Sequence, residues 1–112
     1  MRGMRRVIVE TPYAGDIERN LKFLRACMRD CLLRGEAPFA SHGLYTQPGV
    51  LRDEIPEERR LGMEAGFVWR PVADATVVYT NLGISRGMQA GIDNTDEDRL
   101  EMRRLPDDWE TR

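Results

Sequence analysis

The stretch ATVVYTNLGISRGMQAGI, residues 75–92, decides the reading of this chain. Its first five residues form an unbroken β-branched and aromatic run, which marks a strand buried on both faces rather than one alternating between core and solvent. TNLGI then turns the chain, and Ser85 is placed to cap a helix. A strand that feeds a glycine-containing turn and then a helix offers backbone amides and a hydroxyl to an anion or a sugar edge. It is not the phosphate-binding loop with GK[ST], and it lacks the GxGxxG turn of dinucleotide domains.

Working outward, the same alternation recurs. RVIVE, 6–10, reads as a second buried strand and TPYAG as the turn after it. Asp16 caps a helix over 17–34 whose apolar stripe is Ile17, Leu21, Leu24, Met28, Cys31 and Leu32, and Gly35 ends it. APFA, 37–40, is a short strand. SHGLYTQPGVLRDE, 41–54, has no period and reads as a loop long enough to need a purpose. Pro56, Glu57 and Glu58 suit the first turn of a helix with Leu61, Ala65 and Val68 on its buried face, stopped by Pro71. DNTDED is a polar connection. LEMRRL, 100–105, is an edge strand with charged alternate residues. PDDWETR is a tail whose Trp109 needs something to pack on, in this domain or on a neighbour.

The order is β-α-β-α-β-α-β, which predicts an α/β domain: a four-stranded parallel sheet with helices on both faces. In such sheets ligands bind beyond the carboxyl ends of the strands. Three chemically rich loops converge there. The first carries Pro12, Tyr13, Ala14, Gly15, Asp16 and Arg19. The second carries His42, the only histidine, with Tyr45. The third carries Asn81, Ser85, Gly87 and Met88. Each has a plain alternative. Tyr13 and His42 can simply pack, Asp16 can merely cap, Arg19 can be solvated, and the glycines of the third loop can serve close helix packing.

Composition narrows the classes. A chain of 112 residues suits one domain, 1–112, and its hydrophobic 41% and charged 32% are ordinary for a globular protein. A net charge of −2 argues against broad electrostatic binding of nucleic acid. The apolar run near the N-terminus is far shorter than the roughly 20 residues a membrane span requires. Cys27 and Cys31 lie one helical turn apart with no further ligand to complete a metal site, so no metal is expected, and reduced thiols suit a cytoplasmic setting. No cofactor is expected.

Taken together, [ST]PYAGD after the first strand, SHGLY after the second, PEER opening a helix, and DATVVY followed by GIS-x-GM resemble the nucleoside 2-deoxyribosyltransferase-like superfamily, in particular its small phage and bacterial members of uncharacterised function. The resemblance spans roughly residues 6–105. It implies a flavodoxin-like Rossmann variant with strand order 2-1-3-4, a nucleoside or nucleotide pocket, cleavage of an N-glycosidic bond, and a homodimer or larger assembly in which a neighbour closes the pocket. Ser85 and Gly87 fall where the family touches phosphate, and Tyr13, Ala14 and Gly15 match its first loop. The family's glutamate, which attacks or stabilises the anomeric carbon, would fall at position 91 by the pattern S-x-G-M-x-x-E, and this chain has Gly91.

The leading reading is a binding protein that sequesters a nucleoside, nucleotide or ADP-ribose-like signal without turnover, which in a phage would serve as an anti-defence sponge. The other is an N-glycosidase or deoxyribosyltransferase that draws its acid from Glu10, at the end of the first strand, or from a partner chain. A structural domain with a vestigial pocket is the third and plainest reading.

Overall fold

A computed structural model describes residues 3–111. The sheet has four parallel strands, β1 (Arg5–Glu10), β2 (Glu36–Phe39), β3 (Ala75–Tyr79) and β4 (Leu100–Arg103), in the order β2-β1-β3-β4. The strand order inferred from the resemblance is the order observed. β1 and β3 are the central pair, with Val9 beside Val77 and Glu10 beside Val78. That position explains their unbroken β-branched sequences: Val7, Ile8, Val9, Val77 and Val78 are all buried.

Alternation along β1 and β3 sends side chains to two different layers. Val7, Val9, Val77 and Tyr79 join Phe23, Leu24, Cys27 and Cys31 of helix α1 (Ile17–Leu33) in the main core. Glu10 and Thr76 face the opposite layer, built from α4 (Arg86–Asp93) and the segment that follows α3 (Pro56–Val68). Asp16 caps α1 by accepting from Arg19 N at 3.2 Å, and Ser85 caps α4 by accepting from Met88 N at 3.2 Å.

The structure corrects several expectations. The buried stripe of α1 runs through Asn20, Phe23, Leu24, Cys27 and Cys31, while Ile17 and Leu32 face outward. The apolar residues of α3 also point the other way: Leu61 and Val68 are exposed, and Met63, Gly66 and Phe67 face inward. Gly66 is there because α2 (Ser41–Leu44), a helical turn where a loop was expected, crosses so closely that a Cβ on Gly66 would meet Ser41 Oγ at 2.6 Å. The tail folds back on its own domain. Trp109 sits edge-on to Phe23 with centroids 4.9 Å apart, so its partner is in the same chain rather than on a neighbour.

Both cysteines are free and buried, and no His, Cys, Asp and Glu cluster among the described residues could hold a metal. No helix among them is long and apolar enough to cross a membrane.

Candidate functional site

The carboxyl ends of β1, β2 and β3 deliver their following segments to one edge of the sheet, and a crevice of about 520 Å³ opens there. Its wall takes Glu10, Thr11, Tyr13 and Ala14 from the end of β1 and Ser41 and His42 from α2. The α4 end contributes Ser85, Arg86, Gly87 and Met88. These are the three loops the sequence brought together. The fourth side is α3 and its flanks, with Asp53, Arg59, Met63, Phe67 and Arg70.

Glu10 is the buried acid of the site. Its side chain is 11% exposed and its Oε2 accepts from Arg70 Nη2 at 2.5 Å. Burial raises its pKa above the ordinary carboxylate value, and Arg70 opposes that rise without cancelling it. Among the described residues no hydrogen bond reaches Oε1. The second acid, Asp53, pairs with Arg59 at 3.4 Å. Arg86 forms no ion pair among the described residues and stands at the amino end of α4, where the amides already favour an anion. Counting Glu10 and Asp53 against Arg59, Arg70 and Arg86 leaves an excess of one positive charge on the wall.

His42 is held differently. Its Nε2 lies 2.7 Å from Thr11 Oγ1, and burial lowers its pKa to about 4. It is a neutral imidazole at neutral pH, suited to hydrogen bonding or stacking rather than to carrying charge.

The decisive geometry concerns position 91. A Cβ built on Gly91 would fall 2.5 Å from Glu10 Cδ and 2.8 Å from Arg70 Nη2, and it would overlap Oε2. The carboxylate of Glu10 thus occupies the volume into which any side chain at 91 would project.

With this arrangement in view, comparison across the chain gives one match. Residues 5–105 match the family model described as a domain of unknown function, DUF7768. The chain belongs to the DUF7768 family. No curated protein and no solved structure matches it.

Six of the residues proposed from sequence lie outside the wall of this DUF7768 crevice, each for a visible reason. Pro12 is buried in the turn behind Tyr13. Gly15 takes φ 99°, which makes the turn into α1 possible. Asp16 is used up as the cap of α1, and Arg19 turns away to Glu110 at 2.7 Å. Tyr45 accepts from Trp69 Nε1 at 3.1 Å and borders only the smaller cavity beside the crevice. Asn81 ties its loop to the chain after β4, donating to Leu105 O at 2.9 Å and accepting from Leu105 N at 2.8 Å.

The DUF7768 residues that sequence reading missed are mostly those of α3 and its flanks: Asp53, Arg59, Met63, Phe67 and Arg70. No local sequence signal marked them, because they reach the crevice only through the packing of α3 against the sheet and α2.

Proposed function

We propose that the crevice binds a nucleoside or nucleotide and cleaves its N-glycosidic bond, with Glu10 as the carboxylate at the anomeric carbon. One observation carries this reading. The Glu10 carboxylate lies against Gly91, the position to which the resemblance assigns the reacting glutamate, in space that a Cβ at 91 would take. The resemblance supplies the substrate class. The crevice volume, the α4 amides with Arg86, and the neutral His42 and Tyr13 beside it support a ligand with a flat base and a polar or anionic sugar end.

The chemistry balances with this chain's own groups and water. Oε1 of ionised Glu10 attacks C1′ of the sugar. The C1′–N bond breaks, its electron pair leaves on the base nitrogen, and that nitrogen takes a proton from water. A water then adds its oxygen to C1′, releases its proton to solvent and displaces the carboxylate, which returns to its starting state. A second base in place of that water would make the reaction a transfer. A homo-oligomer whose neighbour narrows the crevice belongs to the same proposal.

A second reading, sequestration without turnover, is favoured by the 2.5 Å Arg70 contact, since a neutralised carboxylate is a weaker nucleophile. The free Oε1 weighs against it.

The test is one incubation. The full chain and its Glu10→Gln variant are mixed at near-stoichiometric amounts with nucleosides, nucleoside monophosphates and ADP-ribose-type molecules. Retained and free species are then identified by mass spectrometry. Base and sugar or sugar phosphate accumulating beyond one equivalent with the parent chain, and intact ligand retained by Glu10→Gln, are the expected results. Intact ligand retained by both, with nothing consumed, establishes sequestration instead. Retention and turnover by neither overturns both readings.

A further inference from the structure

A carboxylate moved off its helix and onto a strand end has to be aimed by something, and the chain around Glu10 shows what does so. Arg70 lies in a short 3₁₀ turn, Arg70–Val72, sixty positions from Glu10, and its side chain is 11% exposed. One end of its guanidinium, Nη2, holds Glu10 Oε2 at 2.5 Å. The other end, Nη1, is anchored twice, to Thr76 Oγ1 at 3.0 Å and to Thr95 Oγ1 at 3.1 Å. Thr95 in turn donates to Gly91 O at 2.8 Å, so the anchor is tied to the very turn of α4 that makes room for the carboxylate. The Phe67 ring covers the guanidinium, with Arg70 Cζ 5.3 Å from its centroid.

This arrangement leaves a cost in place. Among the described residues Arg70 Nε is buried with no hydrogen-bond partner, and a buried donor left unsatisfied is unfavourable. A planar fork fixed at one end by two hydroxyls gives the other end a single direction.

We infer that Arg70 is a positioning residue for Glu10: anchored by Thr76 and Thr95 in the volume that Gly91 leaves open, it fixes Oε2 and leaves Oε1 free toward the crevice. The inference rests on the reading of Glu10 as the reacting carboxylate. Arg70 contacts the carboxylate at Oε2, not at the Oε1 assigned to the attack. It acts by orientation and by favouring the ionised form of Glu10 against burial.

The other charged or titratable groups that face the same crevice are Tyr13 after β1, His42 on α2, Asp53 before α3, Arg59 on α3 and Arg86 on α4. None of these forms a hydrogen bond or ion pair with Glu10 among the described residues, so burial and Arg70 are the two opposed influences on it.

The test needs no ligand. Full-length protein labelled with ¹³C at the glutamate side-chain carboxyl is titrated by NMR, with Glu10→Gln identifying the Glu10 signal. In Arg70→Gln the Glu10 midpoint is expected to rise by at least about one pH unit, and Arg70→Lys, which keeps the charge, should restore much of the difference. An unmoved midpoint would show that Arg70 does not act on the Glu10 carboxylate, and that result overturns the inference. If Arg70→Gln does not fold, Thr95→Val carries the test. It removes one Nη1 anchor, so a smaller rise is expected and an unmoved midpoint again overturns it. Because the readout is made without substrate, the two failures are told apart: an unmoved midpoint overturns the role of Arg70 while turnover through Glu10 can stand, and absence of turnover in the incubation overturns the reading of Glu10 on which that role rests.

Discussion

His42 Nε2 lies 2.7 Å from the hydroxyl of Thr11, joining α2 to the end of β1 across thirty-one positions. Burial keeps the imidazole neutral, with a pKa lowered to about 4. In the unfolded chain the same group takes a proton near 6.5. The folded state's advantage is therefore complete above about pH 6.5 and is lost as pH falls toward 4. We expect roughly 2–3 kcal/mol of stability to disappear across that window on this account. Urea unfolding at a series of pH values checks it. His42→Gln should flatten the slope, and equal slopes in the two proteins would refute the assignment.

Gly91→Ala should be damaging although alanine is the better helix former. Its Cβ would overlap the Glu10 carboxylate and crowd Arg70, so we expect a loss of about 1–3 kcal/mol and displacement of Glu10. Gly87→Ala in the same helix is the control, since its Cβ would meet nothing nearer than Arg59 Nη2 at 3.9 Å. That variant should match or exceed the parent in stability. Thermal melts of the two compared with the parent decide the point.

Away from the crevice, Arg103 and Glu36 form a two-pronged pair at 2.7 Å on both arms, with side chains 7% and 6% exposed. Arg103→Ala leaves a buried carboxylate with only the longer Arg5 contact at 3.5 Å and should cost about 3 kcal/mol, measured by chemical denaturation at pH 7. The Arg103 hydrogen bond holds the pKa of Glu36 below the ordinary value. The pair's contribution is thus full above the unfolded carboxylate's pKa and is lost as pH falls through the lower folded one. The gap between parent and variant should narrow in acid. A gap that stays constant down to pH 3 would contradict this.

The tail contains two contacts of unequal weight. Trp109 is buried against Phe23, and Trp109→Ala is expected to cost about 3–5 kcal/mol. The neighbouring Arg19–Glu110 pair is about half exposed on both sides, is screened by solvent and should contribute little. Arg19→Ala should also leave ligand retention unchanged, because Arg19 points away from the crevice. Melting temperatures of the two variants should differ widely, and near-equal values would show that the tail is not part of the core.

What the sequence revealed and what it hid divide along physical lines. β1 and β3 were legible because a strand buried on both faces must be apolar at every position, and RVIVE and ATVVY are nearly so. The cap residues Asp16 and Ser85 were legible because capping is local. The buried face of α3 was not: Leu61 and Val68 look like a core stripe, yet close contact with α2 selects Gly66, a small residue no hydrophobic pattern highlights. The crevice residues next to strand ends, Glu10, Tyr13, Ala14, His42, Ser85, Gly87 and Met88, followed from topology. Arg70 did not, because a lone arginine beside Pro71 becomes meaningful only once the chain has folded it against a residue sixty positions earlier.

The overlap at Gly91 has a further consequence. There is space at that point for a single acid, and two separate segments of the chain can reach it, the end of β1 and the second turn of α4. Occupation by one excludes the other. Within the family, the identities at positions 10 and 91 should therefore vary together, a long residue at one demanding a short residue at the other. The double variant Glu10→Ala, Gly91→Glu should be tolerated far better than Gly91→Glu alone. An acid contributed by α4 would carry its carboxylate beyond the point that Glu10 now fills, so exchanging the two segments would also move the acid along the crevice.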